Sequence, residues 1–525
     1  MNFNKKLAVA VSGAVLLMAG QFALADSASD IVDALVSKGV LTEEEGKLIT
    51  KGHNSKTSVT PVVKEKDGAF TLESANGRNS IQLQGRMHID YRQSNLEAGN
   101  FLSSNDTDTR SMADQFELRR ARIGIKGKLA KDFNYEIVTN LPGTATVDVA
   151  YLDYAKYDGA QLRLGRFKQP FGLEQQTSSN NIDFIERSYV DQLSPAKKLG
   201  AQIMGSPAKG TTYALSAFQM NDADLDINSD RMSFAGRTTL NLAELLGDKD
   251  AVYHIGLAYR DQDYSLTPTN SGNTSSTLDL VSRASMFSFT SGGRGLANVF
   301  RAQIIGDQSA TSGTYGTASP TTAKVHTDAF GLESIVAYGP AKIQAEYTKS
   351  DFKGTSSTDT NAIKADVSAW YVEGLWLITG EKYADAYKKG VFSSIKPKND
   401  FDIDAGKFGA WEAGLRYDAF QVEDGSIDGT TGTLGSRFQG AVSPGIKGSA
   451  ASTDTCSPTD TAVRCKGGAR SYTAGLKWIL NPNVMVKANY VHTRFDYAFQ
   501  PIDIAGTRKT ISSEDLLMVR AQYAF

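Results

Sequence analysis

The sequence predicts an all-β protein: a sixteen-stranded antiparallel transmembrane β-barrel with a short N-terminal helical periplasmic segment. Three observations predict it. The chain ends on an alternating strand, with Leu517, Val519, Ala521, Tyr523 and Phe525 on one face and Met518, Arg520, Gln522 and Ala524 on the other. It begins with a secretory leader. Between them, two-fold alternation recurs from about residue 80 to the end without a linker-like break. In lipid every backbone polar group must find an internal partner, and a closed barrel of strands leaves no edge unpaired.

Residues 1–25 read as a signal peptide. Lys5 and Lys6 give a positive start, Leu7 to Ala19 is apolar, and Ala23-Leu24-Ala25 is a cleavage site, so the mature chain is expected to begin at Asp26. The apolar run is too short to span a bilayer as a helix. Residues 26–66 read as a periplasmic helical segment and tether. Ile31, Leu35, Val36, Val40 and Leu41 recur at helical spacing, Thr42 to Glu45 forms a capping box, and 53–66 is polar. Residues 67–525 form the expected barrel. Its strands fall near 81–93, 113–129, 133–141, 147–157, 160–168, 198–206, 211–221, 230–243, 251–264, 327–338, 341–353, 366–379, 408–421, 469–480, 484–497 and 513–525.

The connections sort into two classes. Those after even-numbered strands are mostly short, as at 130–132, 158–159, 207–210, 339–340 and 481–483. Those after odd-numbered strands include long ones, near 169–197, 265–326 and 422–468. Short periplasmic turns and long external loops are the pattern of an outer-membrane barrel, which places the protein in the outer membrane of a Gram-negative bacterium. The stretch 380–407 is the exception, long on the short side. The terminal Phe, with an aromatic two residues before it, resembles the signal that directs such strands to insertion. Trp370, Trp376, Tyr417 and Tyr490 suit aromatic girdles at the two interfaces.

Composition limits the function. The formal net charge is −2, and loss of Lys5 and Lys6 with the leader makes it −4, so any anion binding rests on local placement of basic residues. Nothing points to nucleic acid. The two cysteines, Cys456 and Cys465, flank a small-residue stretch in an oxidising compartment, so a disulfide stapling an external loop is expected. Metal binding and a reactive thiol compete with it, but no His or acidic cluster accompanies the pair. The chain has no Gly-x-Ser-x-Gly, phosphate-loop or His-Glu-x-x-His motif, and its five histidines are scattered. No enzyme activity, cofactor or metal is expected.

The second strand carries the densest chemistry. If Ala121, Ile123, Ile125 and Leu129 face lipid, then Arg120, Arg122, Lys126 and Lys128 form a row of cations on the lumen wall, with Arg86 and Arg92 on the first strand facing the same way. Such a row lowers the energy of an anion in a low-dielectric channel. The competing reading is a lining balanced by facing carboxylates. The connection 169–197 is the third external loop. It carries Glu174 to Asn181 and Glu186-Arg187, hydroxyl and amide groups able to replace water around an oxyanion.

These residues resemble a known family. Arg119-Arg120-Ala121-Arg122, Leu164-Gly165-Arg166-Phe167, Phe171-Gly172-Leu173-Glu174, Thr177-Ser178-Ser179 and Glu186-Arg187 are similar to the phosphate-selective porins O and P. So are Tyr371 to Glu381, Gly409 to Glu412, Asn483 to Val491 and the terminal Tyr-Ala-Phe. The resemblance covers roughly residues 67–525 and also accounts for the long 380–407 connection. It implies a homotrimer of sixteen-stranded barrels in outer-membrane lipid, an inward-folded third loop and an arginine-lined path for small anions such as phosphate. By that resemblance Arg86, Arg119, Arg120, Ser178, Ser179 and Arg187 serve anion passage, and Asp148 matches a lumen carboxylate. Two departures stand out. Gln175 replaces a lysine central to phosphate affinity, with Lys168 as a displaced substitute, and Arg122 replaces a Tyr. A general diffusion porin, or a barrel acting mainly as adhesin or receptor through its loops, remains the alternative.

Overall fold

The computed structural model describes residues 32, 35–38, 40–49, 60–66, 68–96, 114–220, 232–266, 283–296, 299–305, 323–356, 362–428, 437–439, 455–456, 465–499 and 511–525. Sixteen strands build the wall: β1 Ser80–Ser94, β2 Gln115–Leu129, β3 Phe133–Asn140, β4 Thr146–Tyr157, β5 Ala160–Lys168, β6 Lys197–Gly205, β7 Thr211–Phe218, β8 Ser233–Asn241, β9 Ala251–Leu266, β10 Ala323–Tyr338, β11 Ala341–Ser356, β12 Ala362–Leu377, β13 Ala410–Asp428, β14 Cys465–Ile479, β15 Val484–Phe499 and β16 Ile511–Ala524. Each answers one alternating segment of the sequence, and all belong to one sheet. Antiparallel ladders run from β4 and β5 around to β15 and β16. β16 then pairs with β1, from Leu516↔Ser94 to Ala524↔Arg86, and the barrel closes. Closure removes the exposed edge that an open sheet would present.

The described residues fall into two compact units, drawn from 1–84, 124–136 and 525, and from 85–123 and 137–524. In the first, residues 43–49 are helical. The capping box forms as the sequence implies: Thr42 N–H donates to Glu45 Oε2 at 2.9 Å, and Glu45 N–H donates back to Thr42 Oγ1 at 3.2 Å. These bonds hold the Glu45 carboxyl below its ordinary range. The expected tether ends differently. Val62–Lys66 pairs with Ala69–Glu73 as a hairpin, and the latter continues onto β1 through Leu72↔Ile81. Gly68, with φ 73°, supplies the left-handed turn residue, and Val62 and Val63 favour the extended backbone. At the β2–β3 turn, Ala130 and Lys131 both take positive φ, the geometry of a tight hairpin.

In the second unit the wall alternates as lipid and lumen require. Along β16, Leu517, Val519 and Tyr523 are exposed, while Met518, Arg520 and Gln522 are buried. On the outward face the rings of Trp370 and Tyr417, and of Tyr417 and Tyr472, lie 5.0 Å apart. Trp411 stacks on Trp478 at 5.1 Å. Of the four aromatics singled out in the sequence, Trp370 and Tyr417 take part in these ring pairs, with Tyr472, Trp411 and Trp478 added by the fold.

Three connections pack against the inner wall. Residues 169–196 carry the one-turn helices Leu173–Gln176 and Tyr189–Gln192. The described part of 265–326 forms an antiparallel pair, Arg283–Phe289 with Phe300–Ile305. Its Phe289 stacks on Phe420 of β13 at 3.9 Å, and both meet Tyr189. Val325, Phe352, Val367 and Val422 complete that cluster. The sequence shows this connection only as a long loop. Its packing depends on inward apolar residues scattered over several strands, β10 to β13 among them, which no local pattern reveals. The 380–407 connection buries Tyr383, Ala386 and Phe392 against Leu173, Phe184 and Leu377.

Cys456 lies in a short strand paired to Arg437–Gln439, and Cys465 opens β14. Their side chains lie outside the described ones.

Candidate functional site

The site forms where the inward segment 169–196 meets β1, β2, β4, β6 and β16. The segment is held at both ends of its first helical turn. Gly172 precedes that turn with φ 75°, and a Cβ there would lie 3.2 Å from Glu346 Oε2. Glu346 of β11 accepts the N–H groups of Leu173 and Glu174 at 3.0 and 2.6 Å. At the other end Lys168 Nζ donates to the carbonyls of Gln175, Gln176 and Thr177 at 2.6, 3.2 and 2.8 Å. The carboxyl group at the N-terminus accepts the turn's free N–H groups, and the amine at the C-terminus donates to its free carbonyls. Arg187 adds bonds to the carbonyls of Glu174 and Thr177, both at 2.9 Å.

Farther along, Glu186 collects arginines. Its carboxylate accepts from Arg119 at 2.9 Å and from Arg92 and Arg520 at 3.0 Å. Arg520 also grips Asp90 at 2.6 and 2.7 Å. Burial alone would raise the Glu186 carboxyl, but Arg119, Arg520, Arg120 and Arg92 together hold it well below the ordinary range. Glu174 behaves oppositely. Burial pushes it up to about 7, although Arg416 lies 3.3 Å away and Ser188 donates to it twice.

On the open side, Arg86 donates to Ser179 Oγ at 2.9 Å and reaches Ser178 Oγ at 3.5 Å. Arg120 faces His88 Nδ1 at 3.5 Å, and His88 Nε2 lies 3.1 Å from Asn180. Arg122 Nη1 binds Asp148 Oδ2 at 2.9 Å, and Lys197 binds the same oxygen. The arrangement gathers several guanidinium groups, two serine hydroxyls and an ammonium, with Arg120 and Ser179 buried and one part-exposed carboxylate among them. It can strip and replace the hydration of a small oxyanion.

The structure therefore brings Arg86, Arg119, Arg120, Arg122, Asp148, Ser178, Ser179 and Arg187 together. It also changes the alternation assumed for β2. Leu118 and Ile123 are exposed, yet Arg119 and Arg120, consecutive in sequence, both reach inward partners. The phase of the strand shifts by one residue between Leu118 and Ala121, as at a β-bulge. Gln175 turns its amide toward the carbonyl of Pro195 at 3.3 Å. Lys126 and Lys128 belong to the first unit, where both are exposed. Arg92 is fully buried among acids and presents no charge to a solute. Lys197 and Arg520 were not singled out by the sequence. Alternation with Phe525 places Arg520 inward, but only the fold shows that it meets Glu186. Among the described residues one group of metal-ligand type, Asp261, Asp263 and His326, stands away from this site on β9 and β10.

Comparison with known proteins shows what the chain is similar to. The sequence profile described as phosphate-selective porin O and P matches residues 81–525. Porin O of Pseudomonas aeruginosa is 28% identical over 453 residues, covering 83% of this chain and 87% of that protein. Among solved structures, a loop-deletion form of OmpT of Vibrio cholerae aligns with a TM-score of 0.45 at 11% identity, over 85% of this chain and 100% of that one. An anion-selective porin from Comamonas acidovorans aligns with a TM-score of 0.43 at 10% identity, over 85% and 100%.

Proposed function

Because this chain belongs to the family of phosphate-selective porins O and P, we infer that it is an anion-preferring channel of the Gram-negative outer membrane, passing phosphate or similar small oxyanions. It is a channel rather than an enzyme. The observation that carries the finer reading is the bonding of Arg86 to the Ser178 and Ser179 hydroxyls of the inward third loop, with Arg120 against His88 and with Arg122 and Lys197 both on Asp148. Arg187 positions the loop through its carbonyl bonds and adds charge behind it. Signal-peptide removal after Ala25, a periplasmic position for 26–66 and a homotrimer in outer-membrane lipid complete the proposal, the trimer resting on family membership.

The test is electrical. Reconstituted in a planar bilayer under a potassium chloride gradient, the pore should show a reversal potential of anion sign, and phosphate should block the chloride current. Arg120→Ala should reduce the anion preference. A reversal potential of cation sign in the unmodified protein would sink the reading, because carboxylates would then dominate the lumen.

A further inference from the structure

We propose that Lys197, with Arg122 and Asp148, forms a retention site for small polyatomic oxyanions, and that Lys197 determines how firmly the ion is held. The inference rests on the anion-channel reading above.

The three residues come from different strands, β2, β4 and β6. Arg122 Nη1 and Lys197 Nζ converge on a single oxygen, Asp148 Oδ2. Arg122 is fixed in place by a second bond, from Nε to Asn140 Oδ1 at 3.2 Å. Two cations thus share one carboxylate and leave a unit of positive charge, and Arg86 adds its field at both Asp148 and Lys197. The side chains of Arg122, Asp148 and Lys197 are 16, 14 and 16% exposed, whereas those of Arg92, Asp90 and Arg520 are 0% exposed. A solute can reach the first cluster and not the second.

Register sharpens the assignment. Lys197 lies directly opposite Lys168 on β5. Like charges in that position repel. Lys168 is drawn off to three carbonyls of the inward segment, which leaves Lys197 as the lysine of the pair that faces Asp148. Asp148 itself shows what the two cations accept: an oxygen of a planar or tetrahedral anion placed between a guanidinium and an ammonium. A passing oxyanion takes that seat when Asp148 swings aside, and its further oxygens remain free for other donors. Chloride, with a single centre, gains less. Asp148 therefore acts as a tethered competitor that weakens retention and keeps ions moving, because conduction needs a site that also lets go.

The experiment measures phosphate block of single-channel chloride current in the full-length protein, for the unmodified chain, Lys197→Gln, Lys197→Arg and Asp148→Asn. Lys197→Gln should raise the half-blocking phosphate concentration roughly tenfold, the loss of one charge-assisted contact discounted for partial exposure. Lys197→Arg should stay close to the unmodified chain, and Asp148→Asn should tighten the block. A Lys197→Gln pore blocked as readily as the parent overturns the proposal, and so does an Asp148→Asn pore blocked no better. If Lys197→Gln fails to insert, Asp148→Asn decides alone. A cation-sign reversal potential in the unmodified pore would instead overturn the channel reading beneath it.

Discussion

Lys168 donates a hydrogen bond to the carbonyl oxygen of Gln175 at 2.6 Å. With two further carbonyls taken by the same ammonium, the lysine ends the first turn of the inward segment rather than standing in the path of a solute. Lys168→Met should therefore act on the segment more than on the ion. Charge-assisted bonds contribute about 1.5–3 kcal/mol each and are not additive, so loosening of the segment by about 3 kcal/mol is expected. Single-channel recordings should show added flicker, and limited proteolysis should cut within 169–196 sooner. A quiet channel with unchanged cleavage and weakened phosphate block would return Lys168 to the anion path.

Glu186 is the counter-charge for Arg92, Arg119 and Arg520. Removing one partner of a buried charge network typically costs about 3–5 kcal/mol, because the remaining charges lose compensation. Glu186→Gln should lower the thermal midpoint of the folded protein and increase anion preference in the same variant. The Glu186 carboxyl is held low in the folded state. Its contribution is thus complete above the ordinary carboxylate range and is lost only as pH falls through the depressed folded value. Between pH 5 and 8 the unmodified protein should show no change in selectivity from this group. An anion preference that falls in Glu186→Gln would remove it from the role of counter-charge.

Glu174 gives the opposite pH dependence. Its folded pKa of about 7 lies above the ordinary carboxyl value of 4.5, so the folded state holds the proton more tightly than the unfolded one. Stability should fall as pH rises from about 4.5 to about 7 and level off above, by about 3 kcal/mol in all. Melting of the detergent-solubilised protein, or proteolysis of the segment, should show firmer holding at pH 5 than at pH 8. Glu174→Gln should flatten that profile. A profile equally steep in Glu174→Gln would assign the effect elsewhere.

The wall was legible because its code is local. Period-two alternation and the short and long connections gave all sixteen strands, since each strand must show lipid one face and the lumen the other. The site was legible only in part. Arg119 and Arg120 cannot both face inward under strict alternation, and the phase shift that allows it leaves no mark in the sequence. Lys197 stands just before the strand start read from the sequence, inside Ala196-Lys197-Lys198, where nothing distinguishes it from a solvated loop lysine. Neutralisation of Arg92 by Asp90 and Glu186 is a contact across 94 positions of sequence, set by how the inward segment folds. The Phe289–Phe420 stack is likewise non-local.

Cys456 and Cys465 should be joined in the mature protein. Only eight residues separate them in sequence, so reduction should leave conductance and thermal melting nearly unchanged. Mass spectrometry of outer membranes prepared without reductant should find no free thiol at either position. Two free thiols there would refute the pairing.

The last prediction separates the two lysines that could retain phosphate. The resemblance to phosphate-selective porins implies a lysine at the place of Gln175, and the amide here points to Pro195 O. A desolvated phosphate needs charge-assisted contacts of about 1.5–3 kcal/mol each. Restoring one by Gln175→Lys should tighten phosphate block by on the order of tenfold to a hundredfold, at about 1.4 kcal/mol per tenfold. The gain should persist in Gln175→Lys combined with Lys197→Gln, because the two side chains meet the ion from different elements, the inward segment and β6. If instead Gln175→Lys tightens block only while Lys197 is present, the two act on one bound ion. If it does not tighten block at all, position 175 lies off the path in this chain and retention belongs to the wall.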